Sequence, residues 1–307
     1  MRNAFADEIT SLAEKDKRII MLSADIGNKL FDKFKEKNVG RFFNTGVAEA
    51  NTISVGAGLA LSGLKPIAYT ITPFITMRCF EQIKIDVCYN DAPVVIVGVG
   101  SGLGYSALGV THHSLEDISI LRSLPNMTVL CPADQFEVRV LLRNIFKYNK
   151  PVYFRLGKKG EQQVHKEMPE LEIGKAKIIE KGKKICMIST GTILPVVLEV
   201  HRKLKSMGIG AEVVNMHTVK PLDKEYLKNA FDCFDAIVVI EEHSVIGGLS
   251  SAVSEFMADN GKCCKLVRFG TNDTFMHNFG EQHYARHYYG LDSDSIHKRL
   301  CKELKLK

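Results

Sequence analysis

The chain has 307 residues, more than one hydrophobic core ordinarily serves, so two domains are the first expectation. Its composition, 45% hydrophobic and 25% charged, is that of a globular protein, and the net charge of +6 is spread along the chain. There is no arginine-rich arm and no basic run interleaved with aromatics, which argues against nucleic acid, and no run approaches the roughly 18 apolar residues of a membrane span.

Residues 5–12 have apolar side chains at helical spacing, and 18–23 (RIIMLS) read as a buried strand with Asp25 just past its end. Residues 41–44 are a short extended piece leading to Gly46. Residues 48–61 (AEANTISVGAGLAL) are small and apolar, a helix suited to close packing, which Gly63 ends. A strand over 65–70 precedes one helix over 74–89 that carries Arg78, Gln82 and Asp86 on one face. Residues 93–99 (PVVIVGV) form the continuous apolar run of a strand buried in a parallel sheet. A glycine-rich loop over 100–109 leads to a short helix (115–122), a strand (128–131), a helix (136–148) and a strand (152–155). Polar residues 157–172, with Pro169 among them, read as a linker. Strands at 185–189, 211–215, 236–240 and 265–269 then alternate with helices at 194–207, 224–231 and 248–259, and further helices close the chain. This alternation predicts two α/β domains with a parallel sheet in each, over residues 1–165 and 173–307.

The N-terminus lacks the long apolar core of a signal peptide, and the eight cysteines show no paired metal-ligand spacing. Cys79, Cys88, Cys131 and Cys186 lie in or beside apolar runs and read as small core residues, so a reducing cytoplasm is the expected setting.

Ligands of open parallel sheets bind beyond the carboxyl ends of the strands, and several unusual residues fall there. Glu49 stands at the mouth of an otherwise small and apolar helix, either as a charge favoured by the helix dipole or as a buried functional acid. In Thr111-His112-His113-Ser114-Leu115-Glu116-Asp117, Thr111 or Ser114 suits a helix cap, and Glu116 or Asp117 suits the first turn. Those roles leave the paired histidines as either exposed loop imidazoles or proton carriers near neutral pH. Gly102-x-Gly104-x-x-Ala107 fits a relaxed dinucleotide fingerprint, but it does not open directly into an amphipathic helix, so a nicotinamide site is disfavoured. Glu241-Glu242-His243, closing a strand before Gly247 and Gly248, lacks zinc-protease spacing and reads as structural.

At these residues a family resemblance enters. RFFNTGVAEAN, GLALSGLKPIAYT, FITMRCFEQIKIDV, GVTHHSLEDISILRSLPNMTVLCPADQFEV and PVYFRLG resemble, in this order, the pyrimidine-binding domain of transketolases. EEHSVIGGLSSAVSEF and FGTNDTFMHNFG resemble the transketolase C-terminal domain. The Gly-Asp-Gly and Asn-Asn segment by which the family holds metal and diphosphate is not found. The resemblance therefore implies the C-terminal subunit of a split, thiamine-diphosphate-dependent transketolase. Its partner, an N-terminal diphosphate-binding subunit, would hold the diphosphate and Mg2+ or Ca2+, in an α2β2 assembly acting on sugar phosphates. By the same resemblance Glu49 contacts the aminopyrimidine and shares its proton, Phe74 stacks on that ring, and Ile71 and Met77 replace further aromatics in the pocket wall. His112 meets the donor ketose, Arg155 grips its phosphate, and Asp25 borders the coenzyme cleft. Leu108 and Gly100 stand where the family has an aspartate and a histidine that contact sugar, which implies an altered sugar preference. A deoxyxylulose-phosphate-type synthase, a 2-oxo-acid dehydrogenase β subunit and a non-catalytic scaffold are the alternatives.

Overall fold

The structure, a computed structural model, describes residues 1–27 and 29–306. In the first half the apolar runs become β1 (Ile19–Ser23), β2 (Phe42–Asn44), β3 (Lys65–Ile71), β4 (Val95–Val99), β5 (Thr128–Leu130) and β6 (Val152–Leu156). They lie parallel in the order β5-β6-β4-β3-β1-β2. The second half supplies β7 (Lys177–Glu180), β8 (Ile185–Thr190), β9 (Ala211–Asn215), β10 (Thr218–Lys220), β11 (Ala236–Ser244) and β12 (Lys265–Thr271). Its sheet runs β12-β11-β8-β9-β7. Residues 157–172 carry no helix or strand.

Three expectations are corrected. β7 and β10 were not foreseen, and both are antiparallel, so neither sheet is purely parallel. β10 leaves its own half and pairs with β5 at the edge of the first sheet. The single helix expected over 74–89 is broken: Thr72–Thr76 and Phe80–Gln82 are α-helical and Ile83–Tyr89 is a π-helix. Ser54 Oγ donates to Asp86 across to the helix Glu49–Leu61 (2.6 Å), and the Asn90 side chain donates to the Ile85 carbonyl (3.0 Å). Such wide turns concentrate near functional sites.

One apolar core crosses the two halves, taking Ile53, Val94, Leu121 and Tyr153 from the first and Ile188, Met216 and Val253 from the second. The side-chain alternation of β6 sets what meets it. Val152, Phe154 and Leu156 face the other core of the first domain, while Tyr153 and Arg155 point toward the second domain. There Arg155 is 2% exposed. Its Nε donates to Asp117 at 2.6 Å, and its Nη2 donates to Asp117 (3.2 Å) and to the carbonyls of Ser114 (3.0 Å) and Glu242 (3.1 Å). Burial alone would raise the Asp117 carboxyl, but the Arg155 charge and hydrogen bonds outweigh it and hold that acid below its usual range.

β11 runs four residues beyond the expected strand end, so Glu241, Glu242 and His243 are buried. Glu241 accepts from the backbone N–H groups of Leu249 (2.7 Å) and Ser250 (2.8 Å) at the start of the helix Leu249–Asp259. Glu242 accepts from Leu103 N (2.7 Å) and Gln282 Nε2 (2.8 Å) and pairs with Arg286. Every carboxylate in this seam is matched, as buried charges must be. Cys79, Cys88, Cys131 and Cys186 are buried free thiols, each pushed up to about 12 by burial. Among the described residues no helix is long and apolar enough to cross a membrane.

Candidate active site

Parallel strands share one carboxyl edge, and the first sheet changes direction there: β2 lies on one side of β1 and β3 on the other. A crevice outside such a reversal is where open α/β sheets bind ligands. Asp25 follows β1 at this point with φ 54, a left-handed conformation that aspartate tolerates. It is exposed and accepts from the Asn44 amide (2.9 Å) at the end of β2, and Asn44 Oδ1 in turn accepts from Gly46 N (2.9 Å). This chain of bonds shapes the turn that delivers Glu49.

Glu49 opens the helix Glu49–Leu61, where the dipole favours its charge, yet it is only 5% exposed. Small residues behind it let the helix lie close to the sheet: a side chain at Gly56 would begin 3.4 Å from Val94. Among the described residues the Glu49 carboxylate has one hydrogen bond, from Arg78 Nη1 at 3.3 Å. Arg78 belongs to the segment after β3. Ile71 ends that strand half-buried, and Thr72–Thr76 brings Phe74 to the same wall. The Arg78 guanidinium lies 4.1 Å from the Phe74 ring centroid. Phe74 meets the His112 imidazole edge to face at 5.1 Å, His112 meets Tyr105 at 6.1 Å, and the Lys158 ammonium stands 4.9 Å from the Tyr105 ring. The structure thus brings Glu49, Phe74 and His112 into one row, with Asp25 and Ile71 on neighbouring strand ends of the same edge.

It does not bring Arg155 there. Arg155, expected to grip a substrate anion, is instead buried between the domains, with its guanidinium bonded to Asp117, Ser114 and Glu242. The cation at the end of this row is Lys158, just past β6. Its position beyond a strand's carboxyl end was a readable signal. Tyr105 and Arg78 were also missed as site residues. At Gly100, φ +80, a Cβ would lie 1.9 Å from Tyr105 Cδ2, so the phenol ring fills the space a side chain there would need. That relation crosses a folded loop and is invisible in sequence.

His112 is half-buried, with Nδ1 3.0 Å from Thr111 Oγ1. Burial and then the Arg78 charge lower its pKa, which favours the neutral ring. His113 is buried and also pushed down by burial, and among the described residues its Nε2 has no partner. It lines a cavity of ≈ 400 Å³ with Met77, Glu116 and Tyr289. Neither Thr111 nor Ser114 caps the helix Asp117–Arg122: Glu116 holds the cap position, and the Ser114 hydroxyl has no partner among the described residues. A larger cavity of ≈ 790 Å³ lies at the far end of the second sheet, lined by Lys181, Lys184, Lys265 and Lys305, and includes none of this row. Among the described residues no cluster of three or more His, Cys, Asp or Glu is arranged to hold a metal ion.

Two α/β domains with an acid–aromatic–imidazole row at the reversal of the first sheet define the class. Residues 1–161 match the transketolase pyrimidine-binding domain and 174–296 the transketolase C-terminal domain, so the chain belongs to the transketolase family. It is 38% identical to a putative transketolase C-terminal section of Methanocaldococcus jannaschii, over 99% of this chain and 96% of that protein. It is 36% identical to a 6-deoxy-6-sulfo-D-fructose transketolase subunit, SqwH, of Clostridium sp. (strain MSTE9), over 96% of this chain and 92% of the relative. A solved split-gene transketolase, described as an inactive β4 tetramer, superimposes with a TM-score of 0.91 at 33% identity, covering 100% of this chain and 98% of that one.

Proposed function

We propose that the chain is the C-terminal subunit of a thiamine-diphosphate-dependent transketolase, transferring a two-carbon ketol unit from a ketose phosphate to an aldose phosphate together with a diphosphate-binding subunit. The observation that carries this reading is Glu49, a buried carboxylate linked through Arg78 to the Phe74 ring at the sheet reversal. The residues fit an aminopyrimidine: a buried acid and an aromatic face converge, and Phe74 already carries a flat cation. When bound, thiamine diphosphate supplies the electron sink for cleaving the ketose carbon–carbon bond.

The chain's own residues divide the remaining work. Glu49 shares a proton with the ring nitrogen. Phe74 fixes the ring plane and excludes water, and Ile71 and Asp25 border the ring's surroundings. His112, engaged at Nδ1 by Thr111, has Nε2 to exchange a proton with the ketose. Lys158, a point charge beyond Tyr105, takes the anionic end of the sugar.

Val47, Val55, Leu61, Ile85 and Tyr89 expose apolar surface on the helix Glu49–Leu61, its entry and the adjoining π-helix. Such a patch on the site's own helix suits burial under a partner subunit. In this reading the partner holds Mg2+ or Ca2+ and the diphosphate, in an α2β2 assembly. The test is to purify the chain alone and with its diphosphate-binding partner, following coenzyme binding by calorimetry and ketol transfer by product analysis. Both are expected only in the mixture. Ketol transfer by the lone chain overturns the two-subunit reading; consumption of pyruvate without ketol transfer points to a deoxyxylulose-phosphate-type or 2-oxo-acid enzyme; a mixture that binds no coenzyme is a scaffold. Because SqwH is named for a sulfonated ketose and an ammonium accepts sulfonate as well as phosphate, competition between the two ketoses decides the donor.

A further inference from the structure

Arg78 contacts both groups assigned to the coenzyme ring, and it does so with the ring's own shape. Its guanidinium is flat, lies 4.1 Å from the Phe74 centroid and donates to Glu49 at 3.3 Å. A planar cation stacked on an aromatic face while bonding a carboxylate reproduces the two contacts expected of the aminopyrimidine. A ring that stacks on the face of Phe74 covered by Arg78 and bonds the Glu49 carboxylate competes with the guanidinium for both.

We propose that Arg78 is a movable stand-in for the coenzyme ring: it covers Phe74 and pairs with Glu49 in the coenzyme-free chain, and the ring enters by displacing it. The inference rests on the assignment of Glu49 and Phe74 to the coenzyme.

The two partners differ in what they can do. The Glu49 side chain is held inside, and a buried carboxylate left without a partner is unfavourable. The Arg78 side chain is 53% exposed and holds Glu49 through a single long contact, not a bidentate fork. Arg78 therefore satisfies Glu49 while the site is empty and leaves for solvent at little cost. Its backbone lies between the short helices Thr72–Thr76 and Phe80–Gln82, outside any long regular element that would fix its direction. Removal of the guanidinium has a second consequence: His112, whose ring adjoins Phe74, loses the charge that helps to depress its pKa.

The experiment compares the assembled complex carrying wild-type chain, Arg78→Met and Arg78→Lys. Methionine keeps an apolar stem over Phe74 without the competing charge; lysine keeps the charge without the plane. Thiamine diphosphate binding is read by calorimetry and its association rate by stopped-flow, both independent of turnover. Arg78→Met should bind about three- to tenfold tighter, the range supported by loss of an exposed cation–π contact and a half-exposed ion pair, with Arg78→Lys between. The association rate should rise in the same order. Unchanged affinity, or weaker binding by Arg78→Met, overturns the proposal, the latter because Arg78 would then be a coenzyme ligand. Failure of the wild-type complex to bind coenzyme instead defeats the underlying assignment. An NMR titration adds a control: the His112 pKa should rise in Arg78→Met, which removes the charge that adds to the effect of burial.

Discussion

The seam between the domains and the carboxyl edge of the first sheet both contain buried acids, but they treat them differently. In the seam, Asp117 accepts two nitrogens of one guanidinium together with the Tyr153 hydroxyl, Glu241 accepts two helix N–H groups, and Glu242 accepts a backbone amide, a glutamine and an arginine. At the edge, Glu49 is nearly as buried yet among the described residues has one long bond, from a half-exposed side chain. A buried acid whose acceptors are filled by fixed neighbours holds a structure together. One whose neighbour can leave is prepared for a ligand. Burial alone does not separate the two; the number and mobility of partners do.

The comparison predicts that the two kinds of acid fail in different assays. The largest effect should be on turnover: Glu49→Gln in the assembled enzyme should lower kcat by about 10²- to 10⁴-fold, the range for lost acid–base catalysis, with an unchanged melting temperature. Near-normal turnover would remove Glu49 from the chemistry and leave it a helix-terminal charge. Arg155→Ala should do the reverse, destabilising the chain by about 3–5 kcal/mol in denaturant titrations because Asp117 is left charged and unpaired. If Arg155→Ala folds normally and instead raises KM, the contrast between seam and edge fails.

Acid sharpens the same contrast. The Asp117 carboxyl is depressed in the folded protein, so its contribution to stability is complete above the unfolded value, about pH 4, and fades as pH falls through the lower folded value. The wild-type midpoint in denaturant should therefore drop below about pH 4, and the drop should be blunted in Asp117→Asn, itself less stable at neutral pH. A wild-type midpoint flat to low pH would show that the seam charges do not matter to folding. The smallest effect is at the sugar's charged end. Lys158→Met should raise KM for a phosphorylated ketose by about tenfold with kcat little changed, as expected when binding common to ground and transition states is lost. A change in kcat alone would place Lys158 elsewhere in the mechanism.

Much of this molecule was readable before its shape was known. The apolar runs at β1, β3, β4, β8, β9 and β11 are strands because nothing else buries them, and their alternation with amphipathic stretches dictates parallel sheets. Glu49 could be picked out because a charge beside so many small apolar residues is anomalous, and the paired histidines because capping explained their neighbours but not them. What failed has a common physical form. β7 is a half-covered edge strand and β10 is three residues long; each is a strand only because a partner is nearby. The segment after Phe74 has helical spacing, and spacing does not register a π turn.

Arg155 and Lys158 show the boundary most clearly. The sequence by itself determined that an arginine closes a buried strand, that a lone acid opens a helix of small residues, and that the chain makes two α/β domains, because these follow from local patterns of apolar and polar residues. Only the tertiary structure decided which cation faces the cleft and which is sealed inside, because strand alternation assigns a side chain to a face without saying what the face meets. In the same way, the packing of Tyr105 onto Gly100 and of Arg78 onto Phe74 and Glu49 depends on contacts between segments that no local pattern brings together.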